Sequence, residues 1–377
     1  KYHVGTPWLK LVYPGKRSSG RADMAKISLS SICVFLEGFE FDHPVYIGID
    51  VHKRSFSVAM LRPDGVIKDW VTPADVDGFV ALLSALPVRI GCVCYEAGPT
   101  GFGLARKLES AGIRVLVAAP SRVPRPVTAA NKTDRLDCLK LAEYAASGLL
   151  RGIAVPSERE EAFRTLVRRR HQLTDGLRKV KQRIRALLLS QGTPEPSGMD
   201  HWGKAVVAGL HKLSLPFEAK ETLLSLLREL EFAKAEQRRV ESRIRSIVKE
   251  QDEAKRIAAM RSVPGVGEIV ATTFAAEIFR PERFNRSQEV TAYLGLAPVM
   301  RQSGASKARG YLRPVGQQRL RSLLIEAAWI WRQKSEWARE FYNRILGRTG
   351  VPQKAIAALA RKLAGLLWKL SLQTTQA

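Results

Sequence analysis

The chain has 377 residues, enough for two or three domains with cores of their own, and an ordinary globular composition of 45% hydrophobic and 26% charged residues. Its charge is not ordinary: 61 Lys and Arg against 36 Asp and Glu give +25 at pH 7 and an isoelectric point near 10.3. That excess points to a polyanionic partner, with nucleic acid first, and the absence of any apolar run of about 18 residues excludes a membrane-spanning helix. Of the excess, +20 falls in residues 151–377, which hold 42 basic and 22 acidic side chains.

Residues 1–44 begin without Met and mix Gly, Ser and Arg with a short apolar patch, Ile32 to Leu36. The patch has neither the length nor the cleavage pattern of a signal peptide, and the whole stretch is expected to be an extension outside the fold. Val45 to Val51 then reads as a strand buried on both faces, almost wholly apolar and ending in one carboxylate, Asp50, ahead of polar His52-Lys53-Arg54. An ionised Asp in such a place needs a cation or hydrogen bonds to offset its desolvation, so a metal ligand and a salt-bridged strand end are both open. Arg54 to Leu61, a Pro63-Asp64-Gly65 turn and Val66 to Val71 complete a β-meander.

Asp75 to Leu86 has helical spacing (Val76, Phe79, Val80, Leu83) and stops at Pro87. Arg89 to Tyr95 is a further strand that delivers Glu96 at its end. A helix through Ser110, closed by Gly112, and an apolar strand from Ile113 to Ala119 follow. A meander and then alternating helices and strands predict a mixed α/β sheet. The next helix runs to about Ser147 with Thr133 as N-cap, and Asp134 and Asp137 share one of its faces. Cys92 and Cys94 point to one face of a strand with no second pair of ligands for zinc; with Cys33 and Cys138 they are expected as reduced thiols of a cytosolic protein.

From residue 158 the pattern becomes long helices. Phe163, Leu166, Leu173, Leu177, Val180, Ile184 and Leu187 fit heptad a and d positions, with Arg170 as the polar member. Leu226, Leu230, Ala233, Val240, Ile244 and Ile247 do the same on a second helix, with Gln237 as its exception. The two predict either an antiparallel hairpin or pairing with another subunit. Val263-Pro264-Gly265-Val266-Gly267, before a helix from Ile269 to Ile278, resembles a helix-hairpin-helix turn whose backbone N–H groups hold a phosphate, through Gly265 and Gly267. A small-residue cationic loop, Arg301 to Gly310, follows. Two closing helices, Gln317 to Leu346 and Gln353 to Leu370, are expected, with Trp329, Trp331, Trp337 and Phe341 as core.

Four acids stand out together: Asp50, Glu96, Asp134 and Asp137, at two strand ends and on one helix face. Singly, each reads as solvated or ion-paired. Gathered by a sheet, four like charges would repel unless cations neutralise them, and all-oxygen ligation selects Mg²⁺ or Mn²⁺. Two such ions about 4 Å apart stabilise the attacking and leaving oxygens of a phosphodiester substitution, so metal-dependent phosphoryl transfer on nucleic acid is expected.

These residues carry a resemblance. Tyr46-Ile47-Gly48-Ile49-Asp50-Val51-His52-Lys53, Tyr95-Glu96-Ala97-Gly98-Pro99-Thr100-Gly101, Asn131-Lys132-Thr133-Asp134-Arg135-Leu136-Asp137, Val263-Pro264-Gly265-Val266-Gly267 and Gln302-Ser303-Gly304 are similar to the motif series of the one-ten family of bacterial insertion-sequence transposases, the DEDD type. The resemblance spans roughly residues 45–371 in order. It implies a RuvC-like, RNase H-fold domain over 45–150, a helical coiled-coil spacer over 151–257, and a mostly α transposase domain over 258–377. It implies that Asp50, Glu96, Asp134 and Asp137 hold Mg²⁺ and that Ser303 is the nucleophile; Ser306, three residues on, is close enough in sequence to be an alternative.

The implied partners are donor and target DNA, a guide (bridge) RNA from the element's flank, and further copies of the chain as a dimer or tetramer in the bacterial cytoplasm. A hydroxyl needs a base or a metal to attack at neutral pH, and no His is near Ser303 in sequence, so the acidic cluster is the expected activator. Arg301, Lys307 and Arg309 flank the loop as candidates for the scissile phosphate. Two rivals stay open: a Holliday-junction-resolvase-like nuclease in which water attacks, and a non-catalytic nucleic-acid-binding protein.

Overall fold

The computed structural model describes residues 27–37, 43–124, 134–250, 253–298, 312 and 316–375, and divides into two compact units, Lys1–Ser157 and Glu158–Ala377. In the first, β1 (Val45–Val51), β2 (Ser55–Leu61), β3 (Ile67–Pro73), β4 (Ile90–Glu96) and β5 (Val115–Ala118) form one sheet in the order β3-β2-β1-β4-β5. The first three strands are antiparallel, while β4 and β5 run parallel to β1. This mixed sheet is consistent with the expected RNase H-like domain.

The apolar character of β1 up to Ile49 follows from its central position, since both faces are covered. On one face Ile47 and Ile49 pack with Phe79 and Leu83 of α2 (Val76–Ser84) and Leu104 and Leu108 of α3 (Gly103–Ser110). The other face lies under α4 (Asp134–Ala146), where Cys92 and Cys94 meet Leu141 and Ala145. Part of the stretch expected outside the fold belongs to it. Ser28 caps α1 (Leu29–Leu36), whose Ile32 and Leu36 are buried in the same core as β1, and the Arg62 guanidinium donates to the Phe35 carbonyl at 2.7 Å.

The second unit is helical. α5 (Glu158–Ser190) and α7 (Phe217–Glu250), of 33 and 34 residues, lie against each other. The cross-pairs Arg170–Glu241 (2.9 Å), Gln237 to Thr174 (3.0 Å) and Arg183–Glu229 (3.3 Å) step in opposite directions along the two helices, so they are antiparallel. The two polar residues of the apolar stripes, Arg170 and Gln237, thus each find a partner across the pair.

The buried stripe departs from the expected heptads at the ends. Val167 and Leu188 are buried where Leu166 and Leu187 are half-buried, and Leu223 and Leu227 join on α7. A straight helix drifts about 20° per heptad, which moves the contact line by one residue over this length. Within the linker a further helix, α6 (Lys204–Lys212), was not expected; Val206, Val207 and Leu210 pack it with Met199 and Trp202 onto the pair.

Beyond the pair come α8 (Glu253–Arg261), α9 (Glu268–Ile278), a short 3-10 turn (Pro281–Arg283), α10 (Ser287–Tyr293), α11 (Gln318–Lys334), α12 (Glu336–Thr349) and α13 (Pro352–Thr375). They share one core built on Phe274, Leu324, Leu359, Leu363 and Leu367. The expected single helix from Gln317 to Leu346 is two. Ser335 takes an extended conformation and its side chain accepts from the Ala338 N–H, ending α11 and capping α12. Arg168 of α5 donates to both carboxylate oxygens of Glu277 of α9 at 2.8 Å, and Glu277 is 1% exposed. Glu160 and Arg280 make a second tie, at 2.9 Å, so the base of α5 is fastened to the bundle. Among the described residues no helix is long and apolar enough to cross a membrane.

Candidate functional site

The candidate site of the first unit grows from the sheet. Side chains on a strand alternate between faces, so Gly48 and Asp50 share one face of β1, and Cys94 and Glu96 share one face of β4. Gly48 is paired with Cys94 in the parallel register, with Ile49 opposite Tyr95, which sets Asp50 beside Glu96 at the ends of adjacent strands. The covering element on that face is α4: a Cβ on Gly48 would lie 1.9 Å from the Cys138 carbonyl oxygen, and the Cys94 thiol donates to the Leu141 carbonyl at 3.1 Å. Glycine at 48 is therefore a requirement of close approach, and it brings the first turns of α4, with Asp137, down onto the sheet.

The immediate surroundings of Asp50 are polar. His52 Nε2 is 3.2 Å from its Oδ2, and 28% of the Asp50 side chain is open to water. Glu96 is exposed and Asp137 half-buried. The charges of Asp50 and Asp69 both help raise the Cys138 thiol, which burial first pushes up to about 12. Burial likewise pushes Cys92 up to about 11, and Cys94 rises for the same reason. All three thiols are thus held as the neutral, inert form.

Asp69 is an acid that sequence reasoning passed over. It pairs with Ala59, which pairs with Gly48, and so stands on the same face as Asp50. Ile67-Lys68-Asp69-Trp70 has no apolar–polar alternation that would have singled it out. Among the described residues no three His, Cys, Asp or Glu side chains gather closely enough to hold a metal ion; the Asp134 side chain lies outside the described residues. Ser303, Ser306, Arg301, Lys307 and Arg309 also lie outside them.

The second unit holds a cavity of about 830 Å³ between α5, the start of α9 and α11. Gly267 at its edge is exposed and precedes α9 with no side-chain cap, while Glu268 occupies the first turn. Gly265 has a different reason to be glycine: its φ is +90°, and a Cβ there would lie 2.5 Å from the Ala327 carbonyl oxygen of α11. It packs the turn onto α11. His171 lines the same cavity, 7% exposed, with Nε2 3.3 Å from Thr273 Oγ1.

Burial first, then the charges of Arg319 and Arg170, push the His171 imidazole down to about 4. The folded chain therefore refuses a proton that the unfolded chain binds below pH 6.5. Its contribution to stability is complete above 6.5 and is lost as pH falls towards 4. Urea unfolding at pH 7 and pH 4.5 is expected to show a larger loss for the wild type than for His171→Gln; equal losses would remove His171 from the acid sensitivity.

Comparison with known proteins decides what this arrangement belongs to. A family model described as Transposase IS116/IS110/IS902 family matches residues 257–343, and one described as Transposase, of the DEDD IS110 type, matches residues 47–192. The chain is 30% identical over 362 residues to "Putative transposase y4qE" of Sinorhizobium fredii, covering 88% of this chain and 89% of that one. The chain belongs to the IS110/IS116/IS902 transposase family. It is also 27% identical to "Transposase for insertion sequence element IS1533" of Leptospira borgpetersenii, over 86% of this chain and 95% of the other. With "Transposase for insertion sequence element IS1111A" of Coxiella burnetii the identity is 24%, over 86% and 88%. The protein is thus a DNA transposase, and the match over residues 47–192 takes in Asp50, Glu96, Asp134 and Asp137, while the match over 257–343 takes in the Gly265 turn and Ser303.

Proposed function

We propose that this transposase cuts and rejoins DNA at an acidic, metal-assisted centre of Asp50, Glu96, Asp134 and Asp137, with the Ser303 hydroxyl as nucleophile and an RNA from the element's flank pairing with donor and target DNA. The reading is carried by Asp50 and Glu96, side by side at the ends of two parallel strands beneath the helix that bears Asp137. Carboxylate oxygens are the donor set suited to Mg²⁺ or Mn²⁺. When bound, such an ion supplies Lewis-acid stabilisation of the charge that builds on the phosphate.

In the proposed exchange Ser303 Oγ attacks phosphorus and gives up its proton, and the bond from phosphorus to one sugar oxygen breaks. That oxygen takes a proton and leaves as a hydroxyl. The strand is then held as a phosphoserine ester, so no phosphodiester energy is lost, and the hydroxyl of another strand reverses the step on the same phosphorus. Arg301, Lys307 and Arg309 hold the scissile phosphate. Gly267, with the turn that Gly265 anchors, contacts backbone phosphate.

The same reading divides the chain into a RuvC-like domain over 45–150, a coiled-coil spacer over 151–257, to which α5 and α7 belong, and the serine-bearing domain over 258–377. It brings the acids of one copy to the serine of another in a dimer or tetramer. Its test is a detergent-resistant adduct between protein and end-labelled DNA, expected from the wild type and missing from Ser303→Ala while DNA binding persists. An adduct of wild-type yield in that variant overturns the assignment.

A further inference from the structure

The aromatic stripe of α11 and α12 was expected to be core, and half of it is not. Trp331 and Phe341 are buried, but Trp337 is 52% exposed and Trp329 36% exposed. The Trp337 ring lies nearly parallel to that of Phe341, with an interplanar angle of 15° and centroids 5.5 Å apart, and 5.4 Å from that of Trp331. The Arg344 guanidinium and the Lys362 ammonium stand 5.3 and 5.8 Å from the Phe341 centroid. Trp337 is therefore held by two neighbouring rings, one of them backed by cations, while half of its side chain stays open to water.

The neighbourhood selects what such a ring takes. From α11 to α13 the chain carries eleven Lys and Arg against three Glu, so these three helices are together strongly basic, although Glu336 and Glu340 stand close to Trp337 in the chain. A second copy of a +25 chain is disfavoured there, whereas a polyanion with flat apolar groups is favoured. The turn at Gly265 packs on the same helix: a Cβ there would lie 3.1 Å from Ile330 Cβ and 3.1 Å from the Trp331 N. Ile330 is itself 42% exposed. The glycine turn and the half-open indole thus both rest on α11.

We propose that Trp337 is a stacking platform for an unpaired base of the DNA that this transposase handles. A held aromatic ring offers a π-face to any base that is out of the duplex, while the surrounding cations track the backbone. Duplex DNA keeps its bases stacked on one another and gains only the cations. The proposal rests on DNA as the substrate, which family membership gives, and not on the serine chemistry.

The test uses the full chain and fluorescence anisotropy with labelled oligo(dT), oligo(U) and a DNA duplex of equal length at one salt concentration. Trp337→Ala is expected to weaken oligo(dT) binding about tenfold, in line with the loss of one base–aromatic stack, and to leave duplex binding unchanged. Trp337→Phe, which keeps a ring, is expected to retain most of the affinity and controls for folding. Unchanged oligo(dT) binding, an equal loss on duplex, or a loss confined to oligo(U) each overturns the proposal. So does an altered oligomeric state of Trp337→Ala by sedimentation, which would make the ring a contact between copies.

Discussion

Asp50→Asn is expected to lower DNA strand cleavage by at least about a thousandfold, while DNA binding is retained. The substitution keeps size and hydrogen-bonding capacity but removes the charge from the only acid that stands on the central strand of the sheet, among the residues proposed for the metal. Metal-borne stabilisation of a phosphoryl transition state is worth several kcal/mol, and about 4 kcal/mol corresponds to that factor. Glu96→Gln, on the adjoining strand end, is expected to act in the same direction. Cleavage by Asp50→Asn within tenfold of wild type, measured with supercoiled donor DNA and Mg²⁺, would remove Asp50 from the chemistry. Binding by the same variant separates that outcome from misfolding.

Gly48→Ala is the second large effect, and it acts through packing. The added methyl would sit 1.9 Å from the Cys138 carbonyl oxygen and 2.8 Å from the Ala142 nitrogen, both backbone atoms of α4. Neither can rotate away, so α4 must lift from the sheet. Overpacking of a tight core costs about 1–3 kcal/mol, and a contact with rigid backbone belongs at the upper end of that range. Because α4 carries Asp137, cleavage is expected to fall together with the unfolding midpoint. Gly103→Ala is the contrast, since nothing lies within 4 Å of its Cβ, and is expected to be neutral or slightly stabilising. A Gly48→Ala chain with wild-type stability and activity would show that the helix does not depend on this approach.

Much of the first unit was legible in the sequence because its strands announce themselves. The apolar run Val45–Val51 is β1 to the residue, and Glu96 falls at the end of β4 as expected. The alternation of side chains then places Asp50 and Glu96 on a common face once the parallel register is known. That register was not legible because it is a pairing between strands more than forty residues apart, and the role of Gly48 was not because it depends on α4, which arrives from more than eighty residues away. Asp69 escaped notice because only its pairing through Ala59 sets it on that face.

In the second unit the apolar periodicity revealed the two long helices but not their exact contact line, which the drift of a 3.6-residue turn controls. The helix break at Ser335 was hidden in a run of good helix formers on both sides. The tryptophans show a further limit of periodicity. Trp331 and Trp337 both fit an apolar stripe, yet one is buried and the other half-open, since the stripe is wider than the surface that covers it.

The antiparallel course of α5 and α7 has an evolutionary corollary. Among the described residues the lower part of α5 is tied to the bundle, through Arg168–Glu277, Glu160–Arg280 and His171–Thr273, while the chain turns back at the far end near Leu189 and Phe217, both largely exposed. An insertion of whole turns in one helix, matched by the same insertion in the other, would lengthen this arm without moving the foundation on which the later helices are assembled. Reach can therefore change between relatives as an independent trait, leaving the remainder of the molecule untouched.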